Sequence, residues 1–169
     1  NPAGVKRQVI GVFSPDLCQT MAQVLQALGA EHALVVHSQD GLDEISIAAP
    51  THGFELSEGQ VTPISIEPKE HGLGFDSLEG LQVSTAADSA DLIRSAFGGA
   101  SDEASHKARA IIALNAGAGI YVSGRAVSLA AGFDQACEAL RSGAAAEKLS
   151  DFVRFTQNLA SDGDAGSHS

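Results

Sequence analysis

The arrangement that most limits the fold lies in the first 37 residues. Gln8 to Phe13, QVIGVF, is a short and mostly β-branched apolar run, suited to a strand covered on both faces. Ser14-Pro15-Asp16 then offers an N-cap, a proline at the first helical position and an acid in the first turn. Leu17, Met21, Val24, Leu25 and Leu28 recur at helical spacing until Gly29, which reads as the C′ stop. A helix is therefore predicted over Pro15 to Leu28, with the next strand at Ala33 to His37. A crossover of this length joins parallel strands. The expected fold is α/β, with a β-α-β start, a mostly parallel or mixed sheet flanked by helices, and a helical C-terminal third.

Ligands of open α/β sheets bind beyond the carboxyl ends of the strands, and that is where HALVVHSQDGLDEIS, residues 32 to 46, becomes acidic. Asp40, Asp43 and Glu44 repel one another unless a positive charge lies between them. A hard divalent cation is the usual solution, and Mg2+ is typically held by one or two carboxylates plus water and substrate phosphate. Gly41 permits a tight turn that brings Asp43 and Glu44 to one place, while Asp40 is expected to shape or cap the turn. The same residues also fit a solvated turn with a capping acid, and they match no EF-hand spacing.

Beyond the loop, residues 45 to 68 alternate in β-branched fashion, broken by Gly53, Gly59 and Pro63, and predict a hairpin. Pro68 to Gly80 reads as loop, and Asp88 to Phe97 as a helix ended by Gly98-Gly99. From Ser101, a cap candidate, a long helix is expected to bury Ala108, Ile111, Ile112, Asn115, Gly119 and Val122. Its glycines Gly117, Gly119 and Gly124 each cost helix stability, up to about 1 kcal/mol, which tight packing would offset. Further helices are predicted at Phe133 to Arg141 and at Ala144 to Leu159, the latter burying Leu149, Phe152, Val153, Thr156 and Leu159. One α/β unit over 1–159 and a flexible polar tail over 160–169 are the expected organisation.

Composition narrows the function classes. The net charge of −11, from 10 Lys+Arg against 21 Asp+Glu, repels phosphate backbones and anionic lipid, so no nucleic acid and no membrane are expected as partners. No apolar run approaches the roughly 20 residues of a membrane span, and no signal-peptide pattern opens the chain. Cys18 and Cys137 form neither a CxxC pair nor a framework and read as small buried hydrophobes in a reducing compartment, which suggests the cytoplasm. The chain opens Asn1-Pro2-Ala3 and its single methionine is Met21, so residue 1 is not expected to be a native start.

Several segments occur in the order seen in one family. NPA at the start, GVFSPDL at 11 to 17, VVHSQDGLDEIS at 35 to 46, LNAGAGIYVSGRAVSL at 114 to 129 and SGAAAEKL at 142 to 149 resemble the anthranilate phosphoribosyltransferases. The resemblance covers about residues 1 to 159, and its most specific element is the strand followed by Asp-Gly-Leu-Asp-Glu. It implies the C-terminal part of a nucleoside phosphorylase/phosphoribosyltransferase-like catalytic domain. In that family the Asp-Glu pair binds the Mg2+ carried by phosphoribosyl pyrophosphate, which by position is Asp43 and Glu44. The implied reaction transfers 5-phosphoribosyl to the amine of anthranilate and releases pyrophosphate, in tryptophan biosynthesis. The family's Gly-rich pyrophosphate loop, phosphate-binding lysine, anthranilate-binding arginine and helical dimerisation domain match segments upstream of Asn1. One wall of a two-walled site is then expected here, inactive by itself and prone to self-association through an open sheet edge.

Two departures stand out. Ser38 occupies a usual glycine position, and STAADSADLI at 84 to 93 replaces the usual pattern, so no contact is carried over there. His37 is expected to be a hydrogen-bonded structural histidine, and His32, His52, His71 and His106 lack zinc spacing. Asn115 reads as a helix-helix hydrogen-bonder, and Lys6-Arg7 as solvated. Two alternatives are a pyrimidine-nucleoside-phosphorylase-like or nucleic-acid-binding relative on the same fold, disfavoured by the acidic balance, and a non-catalytic association fragment.

Overall fold

The computed structural model describes residues 4–165, with side chains described through Leu159. The Asn1-Pro2-Ala3 opening, residues 166–169 and the side chains of the expected 160–169 tail lie outside the described residues. The strands are β1 (Arg7–Gly11), β2 (His32–Ser38), β3 (Thr51–Ser57) and β4 (Gln60–Ile66), and they form one sheet in that spatial order. β1 and β2 are parallel, as the crossover requires, while β2–β3 and β3–β4 are antiparallel, which makes the sheet mixed. The helices are α1 (Asp16–Ala27), α2 (Ala86–Phe97), α3 (Glu103–Val122), α4 (Leu129–Arg141) and α5 (Ala144–Ala165), with a 3-10 turn at Pro68–His71.

β2 is apolar at consecutive positions because both of its faces are covered. Ala33 and Val35 join Val12, Cys18, Ala22, Leu25 and Leu56 under α1. Leu34 and Val36 join Ile45, Ile47, Leu114, Ala118, Val122 and Phe133 under α3 and α4. Alternate residues thus serve two cores, and a run such as LVV is the necessary outcome. The hairpin between β3 and β4 turns at Glu58 and Gly59, both with positive φ (51° and 74°), the backbone of a two-residue turn that follows strand twist.

The helix boundaries shift in ways the caps explain. α1 begins at Asp16 with Pro15 as the N-cap and no side-chain cap, so Ser14 contributes only its carbonyl, to Leu17 N–H. α2 starts at Ala86, earlier than Asp88, because Thr85 and Asp88 form a reciprocal capping box. That gives residues of the unusual 84–93 segment a structural purpose. Asp102 rather than Ser101 caps α3, accepting from Ser105 N–H at 2.9 Å, and Ser128 caps α4, which therefore begins before Phe133.

Two expectations about burial fail, and so does one about a strand. The buried face of α3 is Ala110, Ala113, Leu114, Gly117 and Ala118 together with Ala108 and Val122; Ile111, Ile112 and Asn115 are half-buried and Gly119 is exposed. A 3.6-residue count misplaced the stripe because its centre is made of small alanines and glycine, while Ile111 and Ile112 pack along its margins. Lys107 is buried as well, with its ammonium on Glu103 Oε1 at 2.9 Å, Glu79 O at 2.9 Å and Ser77 Oγ at 3.3 Å, so all three donors are used. Residues 45–49 are not a strand: Ile45 and Ile47 plug the α3-side core from a loop. In α5, Phe152, Val153 and Leu159 are 63%, 40% and 56% exposed and Thr156 is exposed, where a buried face was expected. α2 and α5 diverge there and leave a groove of about 550 Å³ lined by Ile93, Phe97, Leu149 and Val153. The helix also runs past Leu159 to Ala165.

Candidate functional site

Parallel pairing brings the carboxyl ends of β1 and β2 to the same side, and the acidic loop leaves β2 there. Three sets of contacts hold it. At its neck, Ser38 is fully buried; its N–H donates to Leu42 O at 2.9 Å, Gly41 N–H donates back to Ser38 O at 2.9 Å, and Ser38 Oγ donates to Pro50 O at 3.3 Å. The serine at this usual glycine position is thus absorbed into the neck. In the middle, Ser46 Oγ donates to Asp40 Oδ2 at 2.5 Å and accepts from Ala48 N–H at 3.0 Å, while Thr51 Oγ1 accepts from Ser46 N–H at 3.1 Å. At the far end, Asn115 of α3 brackets Ile45, accepting from its N–H at 3.0 Å and donating to its carbonyl at 2.9 Å.

Asp40 therefore shapes the turn, as expected. Partial burial pushes its carboxyl pKa up, but hydrogen bonds from Ser46, Ser38 and the Leu42 backbone outweigh that and hold it below the ordinary aspartate value. Asp43 and Glu44 are exposed like Asp40, but neither side chain has a hydrogen bond or ion pair among the described residues. Two adjacent carboxylates with all their oxygens uncommitted, on a loop whose other polar groups are used up, fit the donor set of a hard cation. No group of three His, Cys, Asp or Glu side chains comes together among the described residues, so any metal here would take its other ligands from water or substrate.

β1 supplies the floor. A Cβ built on Gly11 would lie 1.4 Å from Asp43 O and 2.4 Å from its carbonyl carbon, so the loop backbone rests directly on the glycine. A glycine inside a β-branched run signals such an approach, and that signal was available in QVIGVF. The Asn115 clamp was missed, since it was read as bonding another helix rather than a loop.

The remaining polar residues are structural. His37 Nδ1 lies 2.8 Å from Val12 O and ties β2 to the end of β1, as expected. His32 Nε2 lies 2.8 Å from Glu55 Oε1, which also accepts from Tyr121 OH at 2.7 Å. That cluster sits at the opposite end of the sheet from the loop, because His32 opens β2. Lys6 donates to Gly29 O at 3.1 Å, and Arg7 donates to Val122 O at 3.2 Å and meets Glu31 at 3.3 Å, so neither is merely solvated. A cavity of about 700 Å³ between Leu73, Phe75, Phe97, Arg109 and Leu140 shares no residue with the acidic loop.

Residues 1–146 match the family model described as glycosyl transferase family, a/b domain. The anthranilate phosphoribosyltransferase of Teredinibacter turnerae is 56% identical over 156 residues, which cover 92% of this chain and 46% of that protein. That of Saccharophagus degradans is 57% identical over 156 residues, with the same coverage of both. The chain thus spans just under half the length of these curated relatives. Among solved structures, the anthranilate phosphoribosyltransferase of Thermus thermophilus superposes with a TM-score of 0.80 at 36% identity, over 93% of this chain and 45% of that one. The Saccharomyces cerevisiae enzyme, solved in complex with PRPP and Mg, has the same fold at a TM-score of 0.74 and 21% identity, over 88% of this chain and 42% of that one.

Proposed function

The chain belongs to the glycosyl transferase family with the a/b domain, and from that premise we propose that it forms one wall of the active site of an anthranilate phosphoribosyltransferase. The reaction breaks the bond between the ribosyl C1 and pyrophosphate of phosphoribosyl pyrophosphate and forms a C–N bond to the amine of anthranilate, a step of tryptophan biosynthesis. Asp43 and Glu44 hold Mg2+, which when bound neutralises charge developing on the departing pyrophosphate. The two carboxylates act by placement rather than as acid or base. Asp40, Ser38, Ser46 and Asn115 keep their loop from relaxing when substrate arrives, so orientation is set before the reaction.

The observation that carries this reading is the contrast within the loop, where Asp40 is held by hydrogen bonds led by that from Ser46 while the Asp43 and Glu44 carboxylates have no partner among the described residues. In a full-length enzyme carrying this segment, Asp43→Asn with Glu44→Gln lowers turnover on the order of 10²-fold and leaves the melting temperature unchanged, because both acids are exposed. Unchanged turnover at limiting Mg2+ removes the pair from the site. Residues 1–159 are assigned to the catalytic unit, and a cytoplasmic location is supported by two free cysteines, one buried and one half-buried. No helix among the described residues is long and apolar enough to cross a membrane.

An association role has its own support. β1 has β2 on one side and no strand on the other among the described residues. The 169-residue chain alone is expected to be without turnover, to bind Mg2+ weakly and to self-associate through that edge.

A further inference from the structure

A side-chain amide halfway along a twenty-residue helix usually faces water or bonds its own turn. Asn115 does neither alone: it reaches 70 residues back in the chain and bonds both backbone groups of one residue, Ile45, while its Nδ2 also donates to Ile111 O at 2.9 Å. The orientation of the amide follows from these partners, since a flipped group would set its NH2 against an N–H and its oxygen against two carbonyls. The bond to Ile111 fixes the side chain on its own helix, and the pair to Ile45 replaces the strand partner that residues 45–49 lack. Ile45 is fully buried and follows Glu44 directly, so its N–H belongs to the peptide plane that carries Glu44. Between the two acids, the Asp43 carbonyl rests on Gly11.

We propose that Asn115 is a positioning residue for the metal pair: by clamping the Glu44–Ile45 peptide to α3 it fixes where the Asp43 and Glu44 carboxylates stand. This role rests on the metal reading of those two acids. Packing alone does not supply it, because Ile45 sealed in the core would still leave its peptide free to rotate about the loop. Leucine at 115 keeps a similar side-chain volume and, like alanine, loses all three bonds.

The test uses the 169-residue chain with Mn2+ and inorganic pyrophosphate as probes, read by paramagnetic broadening of backbone amide signals and by amide hydrogen exchange. In the wild-type chain the broadening centres on Asp43 and Glu44, and it disappears in Asp43→Asn with Glu44→Gln. Asn115→Leu and Asn115→Ala each raise the Mn2+ midpoint about fivefold and speed exchange at Ile45 N–H about tenfold, with Leu34 to Val36 of β2 still protected. Should Asn115→Ala lose protection in β2, the near-isosteric Asn115→Leu carries the comparison. A wild-type midpoint in a folded variant overturns the positioning role alone. Absence of localised broadening in the wild-type chain overturns the metal reading and this role with it.

Discussion

Replacing Gly11 with alanine is the sharpest probe of how the strand supports the loop. The added methyl would lie 1.4 Å from Asp43 O, 2.4 Å from its carbonyl carbon and 3.3 Å from its Cα, against an ordinary separation of about 3.5 Å. Gly11 has no positive φ, so alanine's backbone preferences raise no objection and the contact decides everything. Either β1 or the loop must give. β1 is held to β2, with Gly11 beside Val36 and Val12 N–H on Val36 O at 3.0 Å, whereas Asp43 and Glu44 have no hydrogen bond of their own between Leu42 and Ile45 among the described residues. The loop therefore lifts and carries Asp43 with it. Overpacking of this kind costs about 1–3 kcal/mol, which lowers the melting temperature of a chain this size by roughly 2–12 °C. Thermal melts followed by circular dichroism measure the loss, and amide shifts over residues 40–46 locate it. Gly41→Ala is the control: at φ +91° it strains the backbone but meets nothing within 4 Å. A melting temperature within about 1 °C of wild type in Gly11→Ala, with unmoved loop signals, would refute the contact.

Tyr121 is the only tyrosine in a chain without tryptophan, so its tyrosinate absorbance titrates alone. Burial, then the hydrogen bond to Glu55 and its negative charge, push its pKa up to about 12. The stabilisation this represents, on the order of 2 kcal/mol before reduction for partial exposure, is fully present below the ordinary tyrosine pKa near 10 and is lost as pH rises through about 12. A spectroscopic midpoint at the ordinary value contradicts the Glu55 contact, and Tyr121→Phe should abolish this part of the alkaline destabilisation. Light scattering across a concentration series is expected to show self-association of the chain, and a strictly monomeric chain refutes the open-edge argument. A coupled pyrophosphate assay on the same material should stay silent with anthranilate present; robust turnover refutes the need for a second wall.

The β-α-β unit was legible because each signal in it is local: a two-faced strand reads as an unbroken apolar run, and the helix between is bounded by Pro15 and Gly29. The hairpin was visible through Gly59, but Ile45 to Ile47 looked like strand, since a β-branched stretch can serve as a core plug when side chains such as Asn115 and Thr51 replace the ladder. α5 marks a different boundary. Periodicity shows that a helix has an apolar face and is silent about what covers it, so Phe152 and Leu159 read as core although they stand exposed. In the proposed site, the acid pair was conspicuous in the sequence because it follows a strand end. The partner of Asn115 could not be read, because a side chain bonding backbone 70 residues away leaves no spacing pattern.

The crossing of α3 and α4 is built from backbone on backbone. A Cβ on Gly132 would lie 2.3 Å from Gly117 O, and one on Gly117 would lie 2.7 Å from the backbone of Phe133. Elsewhere in the core a swap such as leucine for methionine is absorbed by a rotamer change, but at this crossing rotating the Phe133 ring would still leave its backbone 2.7 Å away. Mutational tolerance should therefore fall to its minimum at two positions that touch no ligand. Constancy of Gly117 and Gly132 among relatives would then record how closely two helices approach, and a search for functional residues by invariance alone would select them for the wrong reason.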